Sequence, residues 1–189
     1  MSLSTQSKGQ GRILRAKRAT HIRELALFAI LGVIMFCSKI IMELLPNIHL
    51  LGMLTMVYTI VFRLKALIPI YVYVFLNGIF AGFSPWWIPY LYIWALLWGL
   101  TMLIPKKTPK KIAAVVYPAV CGLHGFGFGI LYAPAFAIIS GMSFEKTLLW
   151  IGAGVYFDLT HGISNIIVGL FILPLSDVLS KLYKRYIIK

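Results

Sequence analysis

Negative charge is scarce in this chain. Five Asp and Glu stand against eighteen Lys and Arg among 189 residues, and charged residues of both signs make up only 12%. A water-soluble domain carries about a quarter charged residues, so that class is excluded. Cysteine is scarce as well. Cys37 and Cys121 both fall within apolar stretches and form neither a CxxC nor a metal-ligand spacing, which excludes a disulfide framework or a zinc site and leaves two thiols expected to pack as small hydrophobes. Linker composition is confined to the first eleven residues, MSLSTQSKGQG, which read as polar and irregular. There is no internal repeat, no HExxH and no GxxxxGK[ST] phosphate loop.

What the chain has in abundance is apolar surface. Hydrophobic residues make up 60% and aromatics 14%, and a membrane-crossing helix needs about 20 mainly apolar residues. Six spans are expected, over 24–45, 49–62, 66–82, 88–104, 112–139 and 147–173, the second short and the last stopped by Pro174 and a basic tail. The leading basic segment resembles the start of a signal peptide. Its apolar run is too long for one and lacks a small-x-small cleavage site, so it is expected to remain as a span.

The net charge of +13 suggests nucleic acid, but the charges sit in short blocks between apolar runs rather than along one polar face, so no nucleic-acid partner is expected. They read as topology. Lys8, Arg12, Arg15, Lys17, Arg18 and Arg23 precede the first span, Arg63 and Lys65 follow the second, Lys106, Lys107, Lys110 and Lys111 follow the fourth, and Lys181, Lys184, Arg185 and Lys189 close the chain. The other side receives only Lys39 and Lys146. Because Lys and Arg accumulate in cytoplasmic segments, the prediction is an all-α integral membrane protein with six transmembrane helices and both termini cytoplasmic, multi-pass in the cell membrane. Residues 1–21 form a basic cytoplasmic N-terminal segment, 22–176 the membrane domain and 177–189 a basic cytoplasmic tail.

The outward side gathers the unusual residues. FSPWWIPYLYIW places Trp86, Trp87, Tyr90, Tyr92 and Trp94 around the third connection. Two readings stand: an interfacial aromatic belt, or a wall on which a planar ligand stacks, stiffened by Pro85 and Pro89. In the last span Asp158, His161 and Asn165 share one helical face. Counting along the helices puts Asp158 roughly 16 Å and His124 roughly 18 Å deep, which predicts contact between them. A structural Asp–His pair and a ligand site are both compatible with that. A site of Asp158, His161 and His124 for a metal lacks any strong ligand spacing and is not expected. No nucleophile–base pair is evident beside Ser164 or Thr160, so no catalytic residue is assigned and the chain is not expected to be an enzyme.

Gly125, Gly129 and Ala133 recur every four residues, a pattern that suits helix packing and would also admit a ligand near His124 and Tyr132. Ala26, Ala29 and Gly32 form a small-residue patch on the first span that suits docking against another membrane protein.

Three strings, RELALFAILGVIMF, LLPNIHLLGMLTMVYTIVF and DLTHGISNIIVGLFILPL, give residues 22–176 a resemblance to the substrate-binding S components of energy-coupling factor (ECF) transporters. The resemblance implies a six-helix protein that captures a vitamin-like small organic substrate from outside. It further implies partnership with a transmembrane coupling protein and two ATPase subunits. The family's first-helix motif has two alanines four apart, whereas here Ala26 is followed by Ile30 and Ala29 by Val33 at that spacing. Ala26, Ala29 and Gly32 remain the docking candidates. PNIHL matches the family's first outer loop and makes Asn47 and His49 ligand candidates, and Asp158, His161 and Asn165 match its polar sixth-helix string. With Trp86, Trp87, Tyr90, Trp94, His124 and Tyr132 these complete the substrate-binding set. No cofactor is implied. The alternatives are a six-span scaffold of the cell-shape machinery, which would use the polar face for partners only, and an intramembrane enzyme. A corrinoid, a flavin or a pterin each suits aromatic walls, and the few outer basic residues disfavour a highly anionic ligand.

Overall fold

A computed structural model describes residues 3–45 and 48–187. Asn47, one of the ligand candidates, lies outside the described residues. Among the described residues the chain is all helical: α1 (Leu3–Met42), α2 (Leu51–Phe62), α3 (Leu67–Ala81), α4 (Tyr90–Leu103), α5 (Lys110–Phe126), α6 (Phe128–Ile139), α7 (Phe144–Gly169) and α8 (Ile172–Tyr186). Short 3-10 turns sit at Arg63–Ala66 and Pro85–Trp87. Among the described residues four helical stretches are long and apolar enough to cross a membrane, namely Lys17–Met42, Leu51–Ala81, Pro85–Leu103 and Lys110–Ile139. The pair α7 and α8, bent by 51°, makes a fifth if taken as one.

The stretch Leu51–Ala81 does not run straight. Along α1 from Leu31 back to Phe28, the α2 partners advance from Tyr58 to Phe62. Along α1 from Glu24 through Gly32 to Phe36, the partners are Lys65, then Val72, then Phe80. Thus α2 runs antiparallel to α1 and α3 parallel to it, and the chain reverses at Arg63, where φ is +56°. The guanidinium of Arg63 donates to the Met102 carbonyl and its own carbonyl accepts from Trp98, so the reversal is anchored on the end of α4. From there α4 runs antiparallel to α3, with Tyr71 donating to Leu91 O and Trp87 to Val74 O.

Two expectations about the helices are corrected, and that of the fifth run, which stands as one apolar stretch, is refined. The N-terminal segment read as irregular is helical from Leu3 and continuous with the first apolar run; no proline interrupts it before residue 46. The fifth run divides at Gly127 into α5 and α6. The sixth ends at Gly169, and the tail read as a basic extension folds as α8. Pro174 was expected to stop the helix. It lies instead in the first turn of α8, where a missing backbone N–H removes no internal hydrogen bond.

Glycines bring α5 and α7 together. A Cβ on Gly125 would lie 2.8 Å from the His161 carbonyl and 2.9 Å from the Gly162 Cα, and one on Gly169 would lie 2.8 Å from the Pro118 Cα. The every-fourth-residue groove therefore receives α7. Trp94 is fully buried at the bundle centre, with Tyr73, Tyr90, His124 and Phe128 around it.

Large apolar side chains face outward over much of the remaining surface, among them Leu44, Leu103, Ile138, Phe144 and Leu149. Apolar cover of this extent belongs in lipid. The basic blocks collect at one end: Lys65 bridges both oxygens of buried Glu24 at 2.8 Å, Tyr183 hydrogen-bonds the same carboxylate, and Lys110 pairs with Asp177. The aromatic turn at Pro85–Trp87 lies at the other end.

Candidate functional site

The break at Gly127 turns the Gly129 N–H, in the first turn of α6, away from the helical ladder. Asp158 on α7 meets this terminus: its Oδ1 accepts from the Gly129 N–H at 2.9 Å. Glycine at 129 permits this close approach, because a Cβ there would stand 2.4 Å from Asp158 Oδ2 and displace the carboxylate. The predicted Asp158–His124 contact is not formed. His124 turns instead to the Ile93 carbonyl, 3.2 Å from its Nε2, beneath the Trp94 ring.

Above Asp158 lies an open cavity of about 560 Å³. Successive turns of α6 present Phe128, Tyr132 and Phe136 to it, and α7 presents Trp150, Phe157, Asp158 and His161. Trp86 from the 3-10 turn and Tyr90 from the start of α4 complete the aromatic wall, and His49 reaches in from the loop before α2. The rings support one another. Phe128 and Tyr132 stack with centroids 6.1 Å apart, Tyr132 and Trp150 stack at 5.9 Å, and the Tyr132 hydroxyl donates to the Trp86 carbonyl at 2.7 Å. His49 and His161 lie with ring centroids 4.9 Å apart, and neither Nδ1 has a hydrogen-bond partner.

Of the sequence candidates, His49, Trp86, Tyr90, Tyr132, Asp158 and His161 line the cavity. Trp87, Trp94, His124 and Asn165 do not. Trp87 donates to the Val74 carbonyl and fills the space beside Gly78. Trp94 and His124 form a buried layer behind the wall, and Asn165 lies one turn below His161, donating to the Cys121 carbonyl. Tyr92 donates to the Leu131 carbonyl at 2.5 Å. Phe128, Phe136, Trp150 and Phe157 were not picked from the sequence, although Phe128, Tyr132 and Phe136 recur at the helical interval of four. On α1, Ala26 and Ala29 are exposed. Gly32 is not available to a partner, because it packs on α3, where a Cβ would meet Val72 at 2.5 Å.

The charges are unevenly distributed. Of the five acidic residues, Glu24, Glu43 and Asp177 pair with Lys65, Lys39 and Lys110. Glu145 is exposed at the start of α7. Asp158, 9% exposed, is the one buried acid without a basic partner among the described residues. Among the described residues no Lys or Arg lines the cavity. Among the described residues no three His, Cys, Asp or Glu side chains gather at metal-binding distances, and Asp158, His161 and His124 do not form the set considered for a metal.

The chain matches no protein-family model, no curated protein and no solved structure.

Proposed function

We propose that this protein is the substrate-binding membrane subunit of an ECF-type uptake transporter, a binder rather than an enzyme. It captures a vitamin-like organic solute from outside and delivers it with a coupling membrane protein and two ATPases. The observation that carries this reading is the cavity of about 560 Å³ whose walls are aromatic and whose floor holds Asp158, His49 and His161. Its size and its few convergent polar groups fit the capture of one small molecule. A scaffold needs no such enclosure.

Each reversal of the bundle is proposed to be a crossing of the cell membrane, with α5 and α6 together making one. That gives six spans with both termini cytoplasmic. The positive-inside bias supports this orientation, since the end holding Lys65, Lys110 and Lys184 faces the cytoplasm and the aromatic end faces outward. Ala26 and Ala29 offer the coupling protein a small-residue face on α1.

Co-expression with a coupling module and affinity purification tests the partnership. The expected result is a stable complex with the coupling protein and both ATPases. Failure to associate with a module that accepts another S component under the same conditions would remove the transporter reading. Single-cysteine labelling, in a background lacking Cys37 and Cys121, tests orientation: positions 86 and 146 react from outside, and 107 and 184 only after permeabilisation. Labelling of position 107 from outside overturns the six-span arrangement.

A further inference from the structure

We infer that the solute held in this cavity is an organic cation bearing a ring, whose positive centre sits over Asp158 among the rings of Tyr132, Trp150 and Phe128. The inference rests on the solute-binding reading and names the class of substrate.

Aromatic walls alone do not select charge, since they also suit neutral heterocycles. The selection comes from the one charged group among them. In a chain with thirteen excess positive charges, the single buried carboxylate without a basic partner lies in the aromatic cavity. Its Oδ1 is occupied by Gly129, while Oδ2 takes no hydrogen bond from the described residues. The start of α6 meets Oδ1 alone, so Oδ2 is left for a cationic solute. A buried charge lacking its counterion is unfavourable, and a cationic solute supplies that counterion. Ring faces carry negative electrostatic potential and attract cations within about 6 Å. An anion would meet only the carboxylate and those same faces, with no Lys or Arg to receive it.

Benzyltrimethylammonium and its neutral isostere neopentylbenzene serve as probes, with benzoate as the anion. Binding to the purified full chain is measured by tryptophan fluorescence and calorimetry. The expected order is cation above neutral isostere by at least tenfold, with no detectable benzoate binding. Asp158→Asn keeps an oxygen for the Gly129 N–H and is expected to reduce cation affinity about tenfold while leaving the neutral isostere unchanged. Trp150→Leu, which leaves the α6 terminus untouched, is expected to narrow the cation-to-neutral ratio and gives a second reading if Asp158→Asn does not fold. Equal binding of the cation and neopentylbenzene, or preference for benzoate, overturns the cationic assignment while leaving a solute site. Binding of none of the three, together with no stabilisation by any compound in a vitamin screen, overturns the solute-binding reading as well.

Discussion

Replacing Gly129 by alanine tests the contact on which the cavity floor depends. The added Cβ would lie 2.4 Å from Asp158 Oδ2 and 3.1 Å from its Cγ, well inside contact distance, so either the carboxylate or α7 must shift. The Asp158 backbone cannot retreat freely, because four residues further along α7 Gly162 is closed against Phe126, whose ring lies 2.1 Å from where a Cβ there would be. Two losses follow from the one displacement. A hydrogen bond to a charged group contributes about 1.5 to 3 kcal/mol, and overpacking costs about 1 to 3 kcal/mol. They arise from the same motion and are not summed. Alanine gains up to about 1 kcal/mol over glycine in helix propensity, which leaves a net destabilisation of roughly 0.5 to 2 kcal/mol. Gly152→Ala is the control: nothing lies within 4 Å of its Cβ, so only the propensity gain applies. Thermal melts in detergent should rank Gly152→Ala at or above wild type and Gly129→Ala below it, with solute affinity lost only in the latter. Restoring stability in Gly129→Ala/Asp158→Ala relative to Asp158→Ala alone would show that the two sites are coupled. If Gly129→Ala melts with wild type and binds solute unchanged, the carboxylate does not sit on the α6 terminus and the reasoning fails.

Trp86 and Trp87 should separate cleanly although adjacent. Trp87→Ala opens the space beside Gly78 and abolishes the bond to Val74 O, so it lowers stability by about 3 to 5 kcal/mol without a specific effect on binding in the folded fraction. Trp86→Ala and Trp150→Leu, at the cavity wall, lower solute affinity by roughly 1 to 3 kcal/mol by analogy with other stacked rings and leave the unliganded melt nearly unchanged; equal binding losses at positions 86 and 87 would contradict this division. At the opposite end, Tyr183→Phe and Lys65→Met each strip a partner from buried Glu24 and are expected to loosen α8, read as faster tryptic cleavage at Lys181 and Lys184. Cleavage at the wild-type rate in both variants would mean that the Glu24 cluster does not hold α8.

The helices were legible from apolar runs because a segment placed in lipid must satisfy its backbone internally, and that demand is written along the sequence at length. Azimuth was not. Asp158 and His124 fall at similar depths, which the rise per residue reports, but which side of each helix they occupy depends on how α5 rotates against α7. That rotation follows from glycines whose role in packing and whose role in breaking a helix look alike: Gly125 admits α7, whereas Gly127 ends α5. The pair Trp86 and Trp87 shows the same difficulty over one bond. In a 3-10 turn successive side chains diverge by about a third of a turn, so one ring reaches the cavity and the next seals α3. Phe128, Phe136 and Trp150 were passed over for a different reason, since an apolar side chain facing a cavity and one facing lipid leave the same mark in composition.

The helix break and the unpaired acid are parts of one device. An unbroken α5–α6 helix would bury its polar backbone entirely and would present only side chains to the cavity. Interrupting it at Gly127 begins a new helix inside the bundle and turns the Gly129 N–H outward, where it suits an anion. Here the anion is not the solute but Asp158, which the glycine at 129 admits to within hydrogen-bond distance. The terminus makes burial of that carboxylate tolerable, and it does so without a basic side chain that would cancel the charge. A lysine in the same place would have stabilised Asp158 more fully and left nothing for a solute to complete. Partial compensation keeps the empty protein folded and reserves the remaining attraction for what enters the cavity. Asp158→Asn and introduction of a lysine at Gly154, on the cavity wall, therefore predict the same functional outcome by opposite routes: in both, the preference for a cation over its neutral isostere collapses. Persistence of that preference in a folded Gly154→Lys protein would show that the charge at Asp158 is not what the solute reads.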